Sequence, residues 1–345
     1  MTTIKDIAEY VHVAPSTVSN VLNDSKYVSD ELRQKVCKAV EELGYKPNLV
    51  ARSLKTKRTD MVGVITSELS SFFVEILGAI EEFFHQNGYS VVVCCSGGDE
   101  EKEKEYLENL AQRGIDGLLF LGGGYAPVGL LRKYSVPVML LDFDAARQGV
   151  PCVVFDNERG GYLATRHLLQ QGARRIAIVN GLPHVSTQAD REKGYRRALA
   201  EFGIEPDPSL VEHCAWLDYK SGCEAVEQFR QRGVLFDAVF AANDFVAVGV
   251  QKSLQKHGMR VPEDIRVVGF GDFSVSEMVT PALTTVRQPR RQMGHLAAKA
   301  LYECLRAPAL PEEGTSALRL APELVVRESS GKRRFLYPIE NRFFT

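Results

Sequence analysis

The chain of 345 residues has no CxxC pair; its seven cysteines (Cys37, Cys94, Cys95, Cys152, Cys214, Cys223 and Cys304) are odd in number and scattered. That pattern excludes a disulfide framework and a paired-thiolate zinc site, and it fits a reducing compartment. No apolar run approaches the roughly 18 residues that a membrane helix needs, and acids interrupt the apolar patches near the amino end. Neither a span nor an export signal is therefore expected, and the chain is expected to stay in the cytoplasm. A dominant charge is missing too: 42 Lys plus Arg stand against 44 Asp plus Glu, so the whole chain is no polycation. Enzyme signatures are absent. There is no GxSxG, HExxH or Walker loop, and the histidines (His12, His85, His167, His184, His213, His257, His295) are dispersed. Gly122 to Gly124 follow an apolar run without dinucleotide-fingerprint spacing and read as a strand-end turn. Asp142 and Asp144 form a carboxylate pair on paper, which hydroxyl binding explains as well as hydrolysis does. No catalytic residue, metal ligand or cofactor is assigned.

What is present is modular, because the length exceeds what one hydrophobic core usually holds. Between Lys46 and Arg58, five cations (Lys46, Arg52, Lys55, Lys57, Arg58) meet no acid, so positive charge is concentrated locally. Before that stretch, three short helices are expected: around Ile4 to Tyr10, from Pro15 to Leu22 and from Asp30 to Leu43. The third has Ser29 as a candidate cap, acids in its first turn, and Leu32, Val36, Val40 and Leu43 at helical spacing before Gly44. From Met61 onward, β-rich runs alternate with amphipathic stretches, the rhythm of βα units with a parallel sheet. Nine strands are expected, beginning at Met61, Ser90, Gly117, Pro137, Cys152, Arg175, Ala238, Arg266 and Leu283. Between the first two, Phe73, Leu77, Ile80 and Phe84 form an apolar helix face. Two α/β halves fit the length. The tail from Gly331 to Thr345 has neither a clear period nor a leucine heptad.

Two candidate sites emerge. TTIKDIAEYVHVAPSTVSNVLN has the layout of a helix-turn-helix, with small Ala8 where the helices would cross; the alternative is a purely structural three-helix bundle. The basic segment that follows favours DNA, since such a module lays its second helix in the major groove. Farther on, ligands of open α/β sheets bind beyond the carboxyl ends of strands. There the sequence places Phe72 and Phe73, Asp142, Phe143 and Asp144, Arg191, Asn243 and Asp244, and Gly271 and Asp272. Aromatic faces with converging polar groups suit a ring-shaped polar ligand. Each has a duller alternative: either Phe72 or Phe73 as core, Asp156 as a helix cap, and Asp244 bonding its own loop. Trp216 and Leu217 carry no site assignment.

TTIKDIAEY, STVSNVLN, YVSDELRQKV and ELGYKPNLVARSLKTKRT resemble the headpiece and hinge of the lactose-repressor (LacI/GalR) family of transcription regulators. The similarity runs to about residue 330. The resemblance implies an α/β protein with a three-helix headpiece (1–45), a hinge helix (46–60) and a bilobed, periplasmic-binding-protein-like core of two parallel-sheet subdomains. These would comprise 61–157 with 289–318 and 158–288 with 319–330, followed by a tail (331–345). It also implies base reading by Pro15, Ser16 and Asn20, with Lys26 a further candidate, and phosphate contacts by Thr17 and Ser19. In the hinge, Leu54 would wedge into the minor groove, with Arg52 and Lys55 near the backbone or groove edge. Ala14 departs from the hydroxyl residue usual before the second helix and cannot cap it. In the core, Arg191, Asn243, Phe143 and Phe72 or Phe73 take family ligand positions. The acid that commonly follows G-[FY] is replaced by Gly271, so Asp272 would substitute after a shift. Removing a carboxylate beside Arg191 would favour an anion, which keeps sugar acids and sugar phosphates open beside sugars. The implied partners are a double-stranded, palindromic DNA operator, a small-molecule effector and a second copy of the chain in a homodimer, with no membrane. The alternatives are a regulator driven by a protein co-effector, as in catabolite control, and a solute-binding protein with the same bilobed fold.

Overall fold

The computed structural model describes residues 2–24, 26–45, 53, 56, 58–122, 131, 136–144, 149–306 and 317–331. They fall into two compact units, residues 1–59 and 60–345.

In the first unit, α1 (Ile4–Val11) begins with a reciprocal capping box between Thr3 and Asp6 and ends at His12 with φ 59°. Helix α2 (Pro15–Asn23) follows after a short turn; Ala14 gives its start no side-chain bond, while Pro15 occupies a first-turn position where a missing N–H costs little. Helix α3 (Asp30–Glu42) carries Asp30 and Glu31 in its first turn, but Ser29 makes no cap bond. The favourable dipole contact of the two acids takes its place. Ile7, Ala8, Val18, Val21, Val36 and Ala39 are buried together as the core of this unit. Tyr10 on α1 donates to Glu42 on α3 at 2.9 Å.

The second unit contains two six-stranded sheets. The first comprises β1 (Met61–Thr66), β2 (Ser90–Cys95), β3 (Gly117–Leu121), β4 (Val138–Leu141), β5 (Cys152–Phe155) and β11 (Leu318–Leu320). Its strands are parallel and stand in the order β11-β5-β4-β3-β1-β2. The second comprises β6 (Ile176–Gly181), β7 (Val211–Cys214), β8 (Ala238–Ala241), β9 (Arg266–Gly271), β10 (Thr284–Arg287) and β12 (Glu323–Val325), in the order β12-β10-β9-β8-β6-β7. Within it only β12 runs antiparallel. Nine of these twelve strands were legible as apolar runs. The other three, VEHC, LRL and ELV, are short, partly exposed edge strands without an apolar run.

Helices cover both faces of each sheet, as continuous burial along the central strands requires. Helices α4 (Ser71–Gln86) and α11 (Arg290–Arg306) bury Phe73, Ile76, Ile80, Phe84, Met293 and Leu301 against one face of the first sheet. Leu107 and Leu110 of α5 (Glu100–Gln112) pack on the other face. On the second sheet, α6 (Asn157–Gln170) and α7 (Ser186–Glu201) lie on one face. Helices α8 (Tyr219–Gln231) and α9 (Asp244–Lys256) lie opposite. Helix α10 (Val275–Met278) is a single turn after β9. Helices α6 and α7 touch backbone to backbone because Gly161 and Gly194 lack side chains; a Cβ on either would collide with the carbonyl of Arg191 or Glu158.

The chain crosses between sheets three times: after β5, after β10 and after β11. The last crossing follows Leu320, two residues beyond the break expected at 318/319, because Leu318–Leu320 pairs with Val153–Phe155. The hinge positions Arg52, Leu54 and Lys55 and the tail 332–345 lie outside the described residues.

Candidate functional site

The carboxyl ends of strands from both sheets converge on a cleft of about 520 Å³, a volume suited to a small molecule. From the first sheet, the segment after β1 contributes Ser67, Glu68 and Ser70, β3 leads into Gly122 and β4 leads into Asp142. From the second come Gln188 and Arg191 on α7, Trp216 and Leu217 after β7, Asn243 before α9 and Phe273 after β9. Gln288, on the second crossing, closes the lining.

Arg191 is the organising cation. Its Nε donates to Asn157 Oδ1 at 2.9 Å, its Nη1 donates to the Ala242 carbonyl at 2.6 Å, and its guanidinium lies 4.0 Å from the Phe270 ring centroid. Burial pushes its pKa down to about 10, opposed by the neighbouring Asp142 carboxylate. Asp142 has φ 58°, in the left-handed region where aspartate is among the better-tolerated residues. Burial raises its carboxyl to about 6 despite Arg191 and Asn157, and its Oδ1 has no hydrogen-bond partner among the described residues. Gln188 Oε1 and Gln288 Nε2, both on buried cleft residues, are likewise unpartnered there. Leaving such groups buried and unpaired costs about 1–3 kcal/mol each, so any rearrangement that paired them on ligand binding would be favoured.

The aromatic walls are Phe72 and Phe73, edge to face at 5.0 Å, and Phe245 and Phe273, tilted at 5.3 Å. Phe73 is also core, and its ring packs where a Cβ on Gly122 would sit. Gly122, with φ 62° and no side chain, thus leaves room for the Phe73 ring at the cleft wall.

The structure gathers Phe72, Phe73, Asp142, Arg191 and Asn243 at this cleft but does not bring in Phe143 or Asp272. Phe143 packs against the Ile65, Leu118 and Leu140 cluster and does not line this cleft. Asp272 accepts from Arg287 at 2.7 Å and from Arg327 at 2.8 Å. Burial works to raise its pKa, but those bonds win and hold the carboxyl below its ordinary value. The shift imagined for Asp272 fails because two arginines already hold it elsewhere. Asn243 caps α9 by accepting from Val246 N at 2.8 Å and donates to the Leu217 carbonyl at 2.7 Å, so it shapes the wall that carries Leu217. Asp156 caps α6. Asp244 reaches beyond its own loop to Thr285 Oγ1 at 2.5 Å and Phe273 N at 2.7 Å. Asp144 pairs with Arg319. Sequence reading missed Glu68, Gln188, Phe245, Phe273 and Gln288; the first two lie in loop or helix positions whose facing only the tertiary fold sets. Trp216 and Leu217, left unassigned, are both on the cleft, with Trp216 75% exposed at its rim.

In the first unit, α2 exposes Pro15 and Ser16 and half-buries Thr17, Ser19 and Asn20, while Lys26 is exposed in the loop before α3. Val18 and Val21 occupy the opposite, buried face. This leaves the amino end of α2 presentable to a groove, as base reading demands.

A helix-turn-helix unit and a two-lobed α/β ligand-binding unit in one chain define a DNA-binding regulator that carries its own small-molecule receptor. Residues 3–48 match the family described as bacterial regulatory proteins, lacI family, and residues 59–322 match that of periplasmic binding proteins and sugar binding domain of the LacI family. The chain belongs to the LacI family of transcription regulators. It is 33% identical over 331 residues to the ribose operon repressor of Haemophilus influenzae, covering 95% of this chain and 98% of that one. Among solved structures it is similar to the lac repressor dimer bound to operator and the anti-inducer ONPF, with TM-score 0.86 and 30% identity over 95% of this chain and 99% of that one. It is also similar to the regulator CelR in complex with cellobiose, with TM-score 0.70 and 32% identity over 95% and 100% of the two chains. Among the described residues, no helix is long and apolar enough to cross a membrane.

Proposed function

We propose that the protein is a repressor that binds a palindromic operator as a homodimer and changes its operator affinity when a neutral sugar occupies the cleft. The observation that carries the ligand class is the charge of the lining: among the described residues, Glu68, Asp142 and Asp218 line it together with one guanidinium, that of Arg191. The anion reading rested on a missing carboxylate beside Arg191, and Asp142 supplies that carboxylate. A sugar acid or phosphate would add negative charge to a cleft already rich in it. A sugar's hydroxyls, by contrast, both donate to carboxylates and accept from amides or a guanidinium of the lining, while its CH faces cover the aromatic rings. The ribose and cellobiose in the names of similar proteins accord with this class.

Pro15, Ser16 and Asn20 are the proposed base readers, with Thr17, Ser19 and Lys26 beside them; Pro15 has no donor and contacts bases only through its apolar ring. Leu54, flanked by Arg52 and Lys55, is the proposed minor-groove wedge. Two headpieces on one site combine through high effective concentration, which makes the dimer the functional unit. Effector and operator are then linked by a coupling free energy of about 1–3 kcal/mol.

A thermal-shift panel of neutral sugars, sugar acids, sugar phosphates and purines tests the ligand class, because a bound ligand stabilises by mass action. Stabilisation by neutral sugars alone, lost in Arg191→Ala, is the expected result; a response confined to phosphates or purines overturns the class. Fluorescence anisotropy on a palindromic operator, with and without the stabilising sugar, tests the coupling, and equal affinities refute it. Unchanged operator affinity in Leu54→Ala refutes the wedge.

A further inference from the structure

Arg290 begins α11 immediately after the second crossing, is 8% exposed, and is absent from the lining of the cleft. Helix α11 packs on the first sheet, yet the Arg290 side chain reaches into the second lobe. Its Nη1 donates to the Gly271 carbonyl and its Nη2 to the Asp272 carbonyl at 3.2 Å. Its guanidinium also lies 4.4 Å from the centroid of the Phe273 ring. In the other direction Nη2 meets Glu75 on α4 at 3.0 Å. That reach depends on Gly294, one turn along α11, where a Cβ would stand 2.5 Å from the Ile76 carbonyl oxygen. Without a side chain there, α11 lies close enough to α4 for Arg290 and Glu75 to meet.

The corner that Arg290 grips is unusual. Gly271 (φ 128°) and Asp272 (φ 55°) are consecutive residues of positive φ, so the chain turns sharply at the end of β9. Arg287 and Arg327 hold the Asp272 carboxylate from within the second lobe, and Arg290 holds the two carbonyls from the first. Phe273 follows directly, and its ring forms part of the cleft wall. On the opposite lobe, α4 carries Glu75 three residues after Phe72 and two after Phe73, which form the facing wall.

We infer that Arg290 is the positioning residue of the cleft: it fastens α4 of one lobe to the β9–α10 corner of the other, and so sets the spacing of the two aromatic walls. A planar guanidinium does this where an ammonium does not, because it stacks on Phe273 while its edge bonds two carbonyls and a carboxylate. The inference deepens the reading of the cleft as a sugar site and rests on it for its ligand arm only.

The test compares the full-length wild type with Arg290→Met, Arg290→Lys and Glu75→Gln. In the sugar-free proteins, hydrogen–deuterium exchange is followed in two segments, 71–76 and 271–277, which belong to different lobes. Arg290→Met is expected to accelerate exchange in both together while leaving α6 and α8 unchanged; Glu75→Gln, at a 45% exposed side chain that folding tolerates, is expected to accelerate 71–76 more than 271–277. Unchanged exchange in both segments of Arg290→Met, or uniform acceleration throughout the core, overturns the inference. The ligand arm titrates D-ribose and cellobiose against the fluorescence of Trp216, the chain's single tryptophan, at the rim of the cleft. Arg290→Met is expected to weaken the binding sugar roughly tenfold, with Arg290→Lys recovering little of it. Wild-type affinity in Arg290→Met overturns the inference. If neither sugar binds the wild type, neither is the effector, and the exchange measurement still decides the role of Arg290.

Discussion

Asp142→Asn removes a carboxyl that burial has raised from 3.8 to about 6 beside a cleft with no partner for its Oδ1 among the described residues. A carboxyl whose folded value lies above its unfolded value contributes stability that is fully present below the unfolded value and is lost as pH rises through the folded one. In the wild type, therefore, the core is expected to become more stable as pH falls from about 7.5 toward 4.5 on account of this group. Of that window, the portion between pH 4.5 and 6 is where the native carboxyl is protonated and the unfolded one is not. At 1.36 kcal/mol per unit this amounts to about 2 kcal/mol, less to the extent that solvent reaches the half-buried side chain. The amide of the Asp142→Asn variant does not titrate and makes no such contribution. Asp244, whose carboxyl burial also raises to about 6, titrates in the same sense in both proteins and cancels in the comparison. Urea unfolding followed by Trp216 fluorescence at the two pH values gives the wild-type-minus-variant difference at each. That difference is expected to move by about 2 kcal/mol in favour of the wild type on acidification. A difference constant across the window would refute the argument that burial, rather than the Arg191 charge, governs this carboxyl.

Three further outcomes follow from particular contacts. Gly194→Ala drives a Cβ into the Glu158 carbonyl between α6 and α7, and a loss of about 3 kcal/mol or more is expected by urea denaturation of the core. Tyr195→Phe removes the buried hydroxyl that donates to the Ile176 carbonyl at 2.8 Å; a loss of about 1–3 kcal/mol is expected, and a neutral effect would mean that the carbonyl is satisfied without it. Ala14→Ser adds the absent side-chain cap to α2 and is expected to stabilise the first unit by about 1 kcal/mol, read from its thermal midpoint by circular dichroism.

Much of the architecture was legible because its signals are local. The core strands are apolar runs, and the three headpiece helices show their period within a dozen residues. Arg191 was legible as well, since a strand followed by a helix start places such a residue at the sheet's carboxyl edge. Asp272 misled because spacing alone cannot tell that Arg287 and Arg327, the latter 55 residues away in sequence, have already claimed its carboxylate. Phe143 misled because the chain leaves β4 through a left-handed Asp142, and spacing alone does not show that the next side chain packs against the Ile65, Leu118 and Leu140 cluster. Asn243 was placed correctly in space, yet its amide is occupied by the cap of α9 and the Leu217 carbonyl.

The sequence by itself determined the kind of molecule: a helix-turn-helix headpiece, a basic connector and an α/β core, each written in short-range periodicity, capping and charge. Tertiary structure alone decided which residues share the cleft, namely Glu68, Gln188, Phe273 and Gln288 with Arg191, and that Arg290 lies between Glu75 and Gly271. The physical reason is that three chain crossings assemble each lobe from distant segments. The facing of a loop or helix residue is then fixed by packing against partners that sequence spacing does not encode.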